Sequence, residues 1–270
     1  SCGVGTLSAY LLSSLLIKVG YFELIFLIAS ILILFIALVW FFSYHYITSN
    51  LTENKALIKS EKVRMRDNPG ILKWFLFEAV VFVIFAICAS FIKDGLGTWV
   101  PNILKDTYHT SNSLSVFLSV FLPIATILAP IIYNLLFKKN KHYVILLTVL
   151  SFIIMLLIIG SIKILDTNLY ILLVAVFIFI NLINYMMNHL ITSVFPVNMR
   201  KYAPAGLVTG ILNGSCYVGS ALSSYVLGSV SDSLGWIMVF NIFVACSIAV
   251  LVVGIIYLIV SKKKHMSIDE

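Results

Sequence analysis

The residues with the clearest chemical potential are a lysine and an aspartate that stand side by side in an apolar stretch. They are Lys93 and Asp94, within the segment FIKDGLGTWVP, Phe91 to Pro101. In an apolar environment a lysine ammonium can bind the anionic group of a ligand, while a carboxyl can anchor a neighbouring helix or carry a proton. Adjacent residues project about 100° apart on a helix, so the sequence does not predict that these two side chains pair.

Two groups of polar residues recur at helical spacing and could face the same ligand. The first comprises Asn181, Asn184, Tyr185, Asn188, His189 and Thr192, and the second comprises Asn213, Tyr217, Ser220 and Ser224. Lipid disfavours such stripes, so each one either hydrogen-bonds to a neighbouring helix or lines a cavity, and both interpretations stay open. The candidate ligand-binding residues are Lys93, Asn184, Asn188, His189, Asn213 and Tyr217.

The remaining small residues indicate packing and no catalytic chemistry. The four cysteines, Cys2, Cys88, Cys216 and Cys246, stand alone, without the paired spacing of a zinc site or a disulfide framework. The three glycines Gly206, Gly210 and Gly214 recur every four residues, which favours close approach of a neighbouring helix. The sequence has no nucleophile motif, so it predicts no enzyme activity, no metal site and no cofactor.

The composition indicates what kind of elements must position these side chains. The chain has 270 residues, of which 61% are apolar and 11% charged, and its mean hydropathy is +1.08. These values are typical of a membrane protein, in which a helix of about 20 apolar residues crosses the bilayer. Seven stretches are long enough: 24–44, 71–104, 114–137, 143–162, 169–194, 205–230 and 236–260. With a shorter eighth segment, Gly3 to Ile17, they predict an all-α membrane protein with eight transmembrane helices.

The depth of Lys93 in the membrane decides between two interpretations. Leu72 to Ile92 is already long enough to span, so Lys93 could begin an external loop. The next segment stays uncharged up to Lys105, which favours a helix that continues outward. Lys73 and Lys105 are 32 residues apart, which places Lys93 about 6 Å beyond the midpoint of a helix about 48 Å long. We therefore expect Lys93 to face a cavity or a partner near mid-membrane.

Three residues just after Lys93 are poor helix formers. They are Gly95, Gly97 and Pro101, and they predict that the helix weakens or breaks at mid-membrane. Backbone groups freed there would have to be satisfied by protein or by a cavity, as happens at many ligand sites in membranes.

The basic residues predict the orientation of the chain. Of the 18 lysines and arginines, 14 lie in alternate loops: Lys55, Lys59, Lys62, Arg64, Arg66, Lys73, Lys138, Lys139, Lys141, Arg200, Lys201, Lys262, Lys263 and Lys264. The positive-inside rule makes these loops cytoplasmic and puts both termini of this chain on the cytoplasmic side of the cell membrane. The net charge of +7 is explained by this bias, so we expect the lipid bilayer as a partner and no nucleic acid.

The long polar stretch 45–70 divides the chain into two groups of helices. It carries mixed charge and ends with Asn68, Pro69 and Gly70, which stop helices. Residues 1–44 then hold two helices, residues 45–70 form a cytoplasmic loop, and residues 71–270 form a six-helix bundle with a cytoplasmic tail. Because the chain starts without methionine and inside an apolar run, we expect it to be a fragment.

Two segments resemble a known family. FIKDGLGTWVPNILKD resembles helix 7 of the major facilitator superfamily, and most closely its organophosphate:phosphate antiporter branch. The matching positions are Lys93, Gly95, Trp99, Pro101, Lys105 and Asp106. The segment from Ala205 to Trp236 resembles helix 11 of the same branch. The resemblance covers the whole chain as helices 5 to 12, which implies a partial major facilitator fold with a complete C-terminal bundle.

The resemblance implies a role for Lys93 and further partners. In that branch the basic residue of helix 7 clasps the substrate phosphate together with a second one from helix 1, so Lys93 takes the role of anion ligand. The chain's missing N-terminal helices would supply the second basic residue. Arginine offers a planar bidentate fork for phosphate. Lysine is a point charge, which suits phosphates and carboxylates alike.

Three functions remain open after these arguments. The first is secondary active transport of a small organic anion by alternating access, in the narrower form exchange of a phosphate ester for phosphate. The second is proton-coupled symport, with Asp94 as the residue that carries the proton. The third is a membrane sensor on the same scaffold, which would signal through the loop 45–70.

Overall fold

The structure is a computed structural model that describes Gly5, Ser8 and residues 23–51, 69–140, 142–201 and 203–266. Over these ranges the chain forms helices and no strand. The α-helices are α1 Glu23–Leu51, α2 Pro69–Tyr108, α3 Asn112–Ser119, α4 Phe121–Phe137, α5 Tyr143–Leu165, α6 Tyr170–His189, α7 Phe195–Asn198 and α8 Ala205–Met266. A π-helical turn, Leu190–Val194, joins α6 to α7.

Six helical stretches of the described residues are long and apolar enough to cross a membrane. They coincide with the apolar segments of the sequence, but the last of them, Ala205–Lys262, combines two of those segments. The predicted segment Gly3 to Ile17 lies outside the described residues except for Gly5 and Ser8. The all-helical membrane class is therefore confirmed, and the number of eight helices stays a prediction.

α8 has one residue with non-helical backbone angles. Gly235 has φ 76° and ψ 175°, a conformation that glycine adopts readily because it lacks a Cβ. It separates a first arm, residues 205–234, from a second arm, residues 236–266.

The two arms of α8 run in opposite directions against α2. The contact pairs are Ile87 with Gly219 and Trp99 with Gly228 for the first arm, and Glu78 with Tyr257 and Asp106 with Trp236 for the second. Along α2, the residue numbers of the contact partners rise in the first arm and fall in the second arm. α8 is thus a helical hairpin whose arms correspond to the two apolar segments of the sequence.

α2 is continuous, so the predicted break at Gly95, Gly97 and Pro101 is wrong. Pro101 removes one backbone donor, but one lost hydrogen bond does not interrupt a helix that its neighbours hold on several sides. Gly95 serves for close packing, because a Cβ added there would lie 2.6 Å from Leu227 Cδ1. A glycine that looked like a weak point in the sequence is a contact point with α8.

Aromatic residues fill interfaces between the helices. Phe82 of α2 stacks on Phe195 of α7 with ring centroids 3.5 Å apart, and both side chains are buried. Phe177 of α6 stacks on Phe240 of α8 at 5.9 Å. Burial of each such ring contributes roughly 2 to 3 kcal/mol in a water-facing protein, and in a membrane their tight packing has the larger role.

A proline divides the third apolar segment. α3 ends at Ser119 and α4 begins at Phe121, just before Pro123. The ring of a proline clashes with the carbonyl four residues earlier, which here belongs to Ser119. α4, which contains Pro130, packs against α6.

Candidate functional site

A cavity among the described residues lies between α2, α4, α6 and the first arm of α8. Its volume is about 500 Å³. The lining residues are Lys93, Asp94, Thr126, Ile127, Pro130, Tyr185, Asn188, His189, Thr192, Ser193, Asn213, Cys216, Tyr217 and Ser220. Most of these carry a polar side chain, which is unusual in a chain that is 61% apolar.

Lys93 and Asp94 form an ion pair at the wall of this cavity. Lys93 Nζ lies 3.4 Å from Asp94 Oδ1 and 5.2 Å from the ring centroid of Tyr185. The sequence argument from helix geometry did not predict this pair. Lysine has a flexible four-carbon stem, so its ammonium can reach around the helix to its neighbour although the two Cβ atoms diverge. The carboxylate and the aromatic ring both stabilise the ammonium.

The two charged side chains differ in how far they open to the cavity. The exposed fraction of the side chain is 11% for Lys93 and 31% for Asp94. A charge held at this depth needs compensation, and each member of the pair supplies it to the other. The pair is therefore accessible to a ligand mainly through Asp94.

α6 contributes the polar wall next to this pair. Tyr185, Asn188, His189 and Thr192 all line the cavity, which is one of the two interpretations that the sequence left open for this stripe. Asn188 Oδ1 accepts a hydrogen bond from Cys216 Sγ at 3.6 Å, which links α6 to α8. The π-helical turn begins directly after His189, so the wall lies where the helix changes its pitch. Such turns are frequent at functional sites.

Asn181 and Asn184 do not reach the cavity. Both are buried, and neither Oδ1 atom has a hydrogen-bond partner, although Asn184 Nδ2 donates to the Ile180 carbonyl at 3.1 Å. Asn184 instead faces a space of about 10 Å³ among α2, α5 and α8. It lies about 100° around the helix from Tyr185, while Asn181 lies about 10 Å along the axis from Asn188. The stripe is therefore wider and longer than the cavity.

The first arm of α8 forms the opposite wall. Asn213 and Tyr217, two of the candidate residues, line the cavity, and Tyr217 is 76% exposed. The predicted helix contact at the three glycines is not present among the described residues, since no atom lies within 4 Å of a Cβ added at Gly206, Gly210 or Gly214. The close contact is made by Gly219, whose added Cβ would clash with the Ile87 carbonyl oxygen.

Two features of the site were missed in the sequence. α4 contributes Thr126, Ile127 and Pro130. The only sequence feature that could have indicated this contribution is the single threonine, which lies one turn before Pro130. Cys216 lines the cavity, although its type indicated packing alone.

A comparison with protein families decides the class of this chain. Residues 1–205 of the 270 match the model of the Major Facilitator Superfamily. The chain belongs to the major facilitator superfamily. Its members are membrane transporters, so the cavity between α2, α6 and α8 is the place to look for a transported ligand. A comparison with the curated proteins finds no match.

The lining of this transporter's cavity suits a small polar ligand. It offers one ammonium, one carboxylate and the amides and hydroxyls of Asn188, Asn213 and Tyr217. Such groups can orient a charged compound without a covalent step. No group of three histidine, cysteine, aspartate or glutamate side chains that could hold a metal ion occurs in the part of the chain that the structure describes.

Proposed function

We propose that this chain is a secondary active transporter of a small organic anion, whose anionic group binds Lys93. A narrower form of the proposal is exchange of a phosphate ester for phosphate. The observation that carries it is the Lys93 ammonium on the wall of a cavity of about 500 Å³. An intramembrane charge is costly unless it has a use, and binding an anion is the use that an ammonium serves best.

The rest of the cavity wall supports a hydrophilic substrate. Asn188 and Asn213 provide amide groups, and Tyr217 and Ser220 provide hydroxyls on the facing helix. Neutral groups of this kind fix the orientation of a ligand and bond to whatever the charged residue leaves exposed. These polar groups belong to two helices, α6 and α8. A movement of α6 relative to α8 would therefore open or close the site.

Proton-coupled symport is a second candidate, and the exposure of Asp94 favours it. Its side chain lines the cavity and is more exposed than that of Lys93, at 31% against 11%. If an anion displaces Asp94 from Lys93, the carboxylate loses its counter-charge, and a proton is one cation that can replace it. Anion and proton would then travel together.

A flux experiment separates these possibilities. The protein expressed from its complete gene is reconstituted into vesicles, and uptake of phosphate, propyl phosphate and butanoate is measured. Antiport predicts uptake that depends on phosphate inside the vesicle, whereas symport predicts uptake driven by an imposed pH gradient with an empty lumen. Binding of a probe without any flux would contradict transport and favour a sensor. Failure of all three probes to bind or move would contradict the proposed anion site.

A further inference from the structure

We infer that the substrate carries an ammonium group as well as its anionic group, with the anion bound to Lys93 and the ammonium bound to Asp94. This inference rests on the proposed function, because it assumes that Lys93 binds an anion. It adds the substrate class: a small compound with both charges close together, such as an aminoalkyl phosphate or a β-amino acid.

The charges at the cavity wall provide the first argument. Of the described lining residues, Lys93 carries the positive formal charge and Asp94 the negative one, and the two lie 3.4 Å apart. A plain anion must compete with the Asp94 carboxylate for the ammonium. If it wins, a carboxylate remains without a counter-charge in an apolar environment, which is strongly unfavourable. A ligand with its own ammonium removes this penalty, because one internal ion pair becomes two ion pairs with the ligand.

The exposure of the two side chains provides the second argument. Asp94 is the more open member of the pair, so the ligand meets a carboxylate at the cavity surface as well as the more enclosed ammonium. A carboxylate attracts a cation and repels an anion. In a site adapted to plain anions, we would expect the lysine to be the more exposed side chain and the aspartate the more enclosed one.

The aromatic rings provide a third argument. The Tyr217 side chain lines the same cavity and is 76% exposed, so its ring is open to a ligand. An ammonium group near an aromatic face gains attraction from the ring quadrupole, as Lys93 already does with Tyr185 at 5.2 Å. Tyr217 can therefore contribute to a cationic subsite in the cavity that Asp94 also lines.

The spacing limits the length of the ligand. Charge-assisted hydrogen bonds are about 2.8 Å long, and the two protein charges lie 3.4 Å apart. The two ligand charges must then lie roughly 3 to 5 Å apart to meet both. A linker of two or three atoms meets this condition, whether the anionic group is a phosphate or a carboxylate.

Two matched pairs of probes test the inference. The phosphate pair is 2-aminoethyl phosphate and propyl phosphate, and the carboxylate pair is 3-aminopropanoate and butanoate. Each pair differs only by an ammonium in place of a methyl group. Dissociation constants are measured by calorimetry on the protein expressed from its complete gene and held in lipid nanodiscs. The pair that binds more tightly identifies the anionic group.

We expect the ammonium member of at least one pair to bind at least 10-fold more tightly than its partner. In Asp94→Asn this ratio should fall to about 1, while the plain anion binds as well as before or better. Asp94→Glu keeps the negative charge and should keep a ratio above 1. Such a result would show that the protein tolerates a substitution at position 94 and that the charge determines the ratio. Asp166→Asn, at an exposed residue that ends α5, should leave the ratio unchanged.

The failure of this inference is distinct from the failure of the proposed function. A ratio near 1 in the unmodified protein for both pairs would overturn the ammonium subsite, even if Lys93→Gln still weakens binding of every probe. A ratio that survives in Asp94→Asn would overturn the assignment to Asp94. If Lys93→Gln leaves all four dissociation constants unchanged, the anion site itself is wrong. Absence of binding by all four probes would overturn the substrate class.

Discussion

At the scale of single residues, the ion pair of Lys93 and Asp94 is the centre of the account. The lysine was singled out because a charge inside an apolar helix needs a reason, and the structure places it at a cavity wall. Its contact with Asp94 could not be predicted, because Cβ directions give no information on where a long side chain ends. Cys216 and Thr126 also line the cavity, and the sequence alone does not distinguish them from residues that only pack between helices.

Two asparagines of α6 allow a test of the cavity boundary. Asn188 lines the cavity, whereas Asn184 is buried one turn away and donates to the Ile180 carbonyl. We expect Asn188→Ala to raise the dissociation constant of the transported anion by about 5- to 10-fold, since one net hydrogen bond contributes about 1 kcal/mol. Asn184→Ala should change this constant less than 2-fold, although it removes the same chemical group. A larger effect at Asn184 would place the ligand elsewhere along α6.

At the scale of helices, apolar length predicted the elements well and local propensity predicted their shape poorly. The apolar segments of the described residues all appear as helices, because lipid forces each backbone group to bond within its own segment. The predicted break in α2 was wrong, since packing against α8 overrides the low propensity of Gly95. Among the described residues the close contact of α8 is made by Gly219 and not by the regularly spaced Gly206, Gly210 and Gly214, because spacing alone does not show which glycine meets a neighbour.

The glycines of α8 allow a matched comparison. A Cβ at Gly219 would clash with the Ile87 carbonyl, while Gly214 on the same arm has open space. We expect Gly219→Ala to lower the midpoint of thermal unfolding in detergent, with a destabilisation of about 1 to 3 kcal/mol from overpacking. Gly214→Ala should keep or slightly raise the midpoint, because alanine is the better helix former. Equal midpoints for the two variants would contradict the packing of α8 on α2.

At the scale of the whole molecule, two ends of the helix bundle can be distinguished. One end holds Asp106 against Trp236, and Tyr108, whose hydroxyl donates to the Ile164 carbonyl at 3.0 Å. The opposite end holds the contacts of Glu78 with Tyr257 and of Thr148 with Gly254. Lys105 and Lys163 belong to the first end and Lys262 to the second. This separation agrees with the alternation of basic loops that the sequence suggested.

The positive-inside rule predicts which end faces the cytoplasm, and labelling can test it. In a background without native cysteines, we expect a cysteine at His109 or Leu234 to react with an impermeant maleimide added outside intact cells. A cysteine at Lys139 should react only after the membrane is opened, because the basic loop after α4 is cytoplasmic. Labelling of Lys139→Cys in intact cells would reverse the assigned orientation, and labelling of all three positions would contradict the fold.

The central claim is that the Lys93 charge binds the transported anion, and it is tested most directly by flux through Lys93→Gln. Reconstituted vesicles at matched protein density are compared for initial uptake of whichever probe the unmodified protein carries fastest. Loss of the charge should weaken binding roughly 30- to 150-fold, equivalent to about 2 to 3 kcal/mol, and reduce uptake accordingly at low probe concentration. Lys93→Arg should keep activity, and Lys163→Gln, at an exposed lysine outside the cavity, should transport normally. Equal uptake by Lys93→Gln and the unmodified protein would contradict the claim.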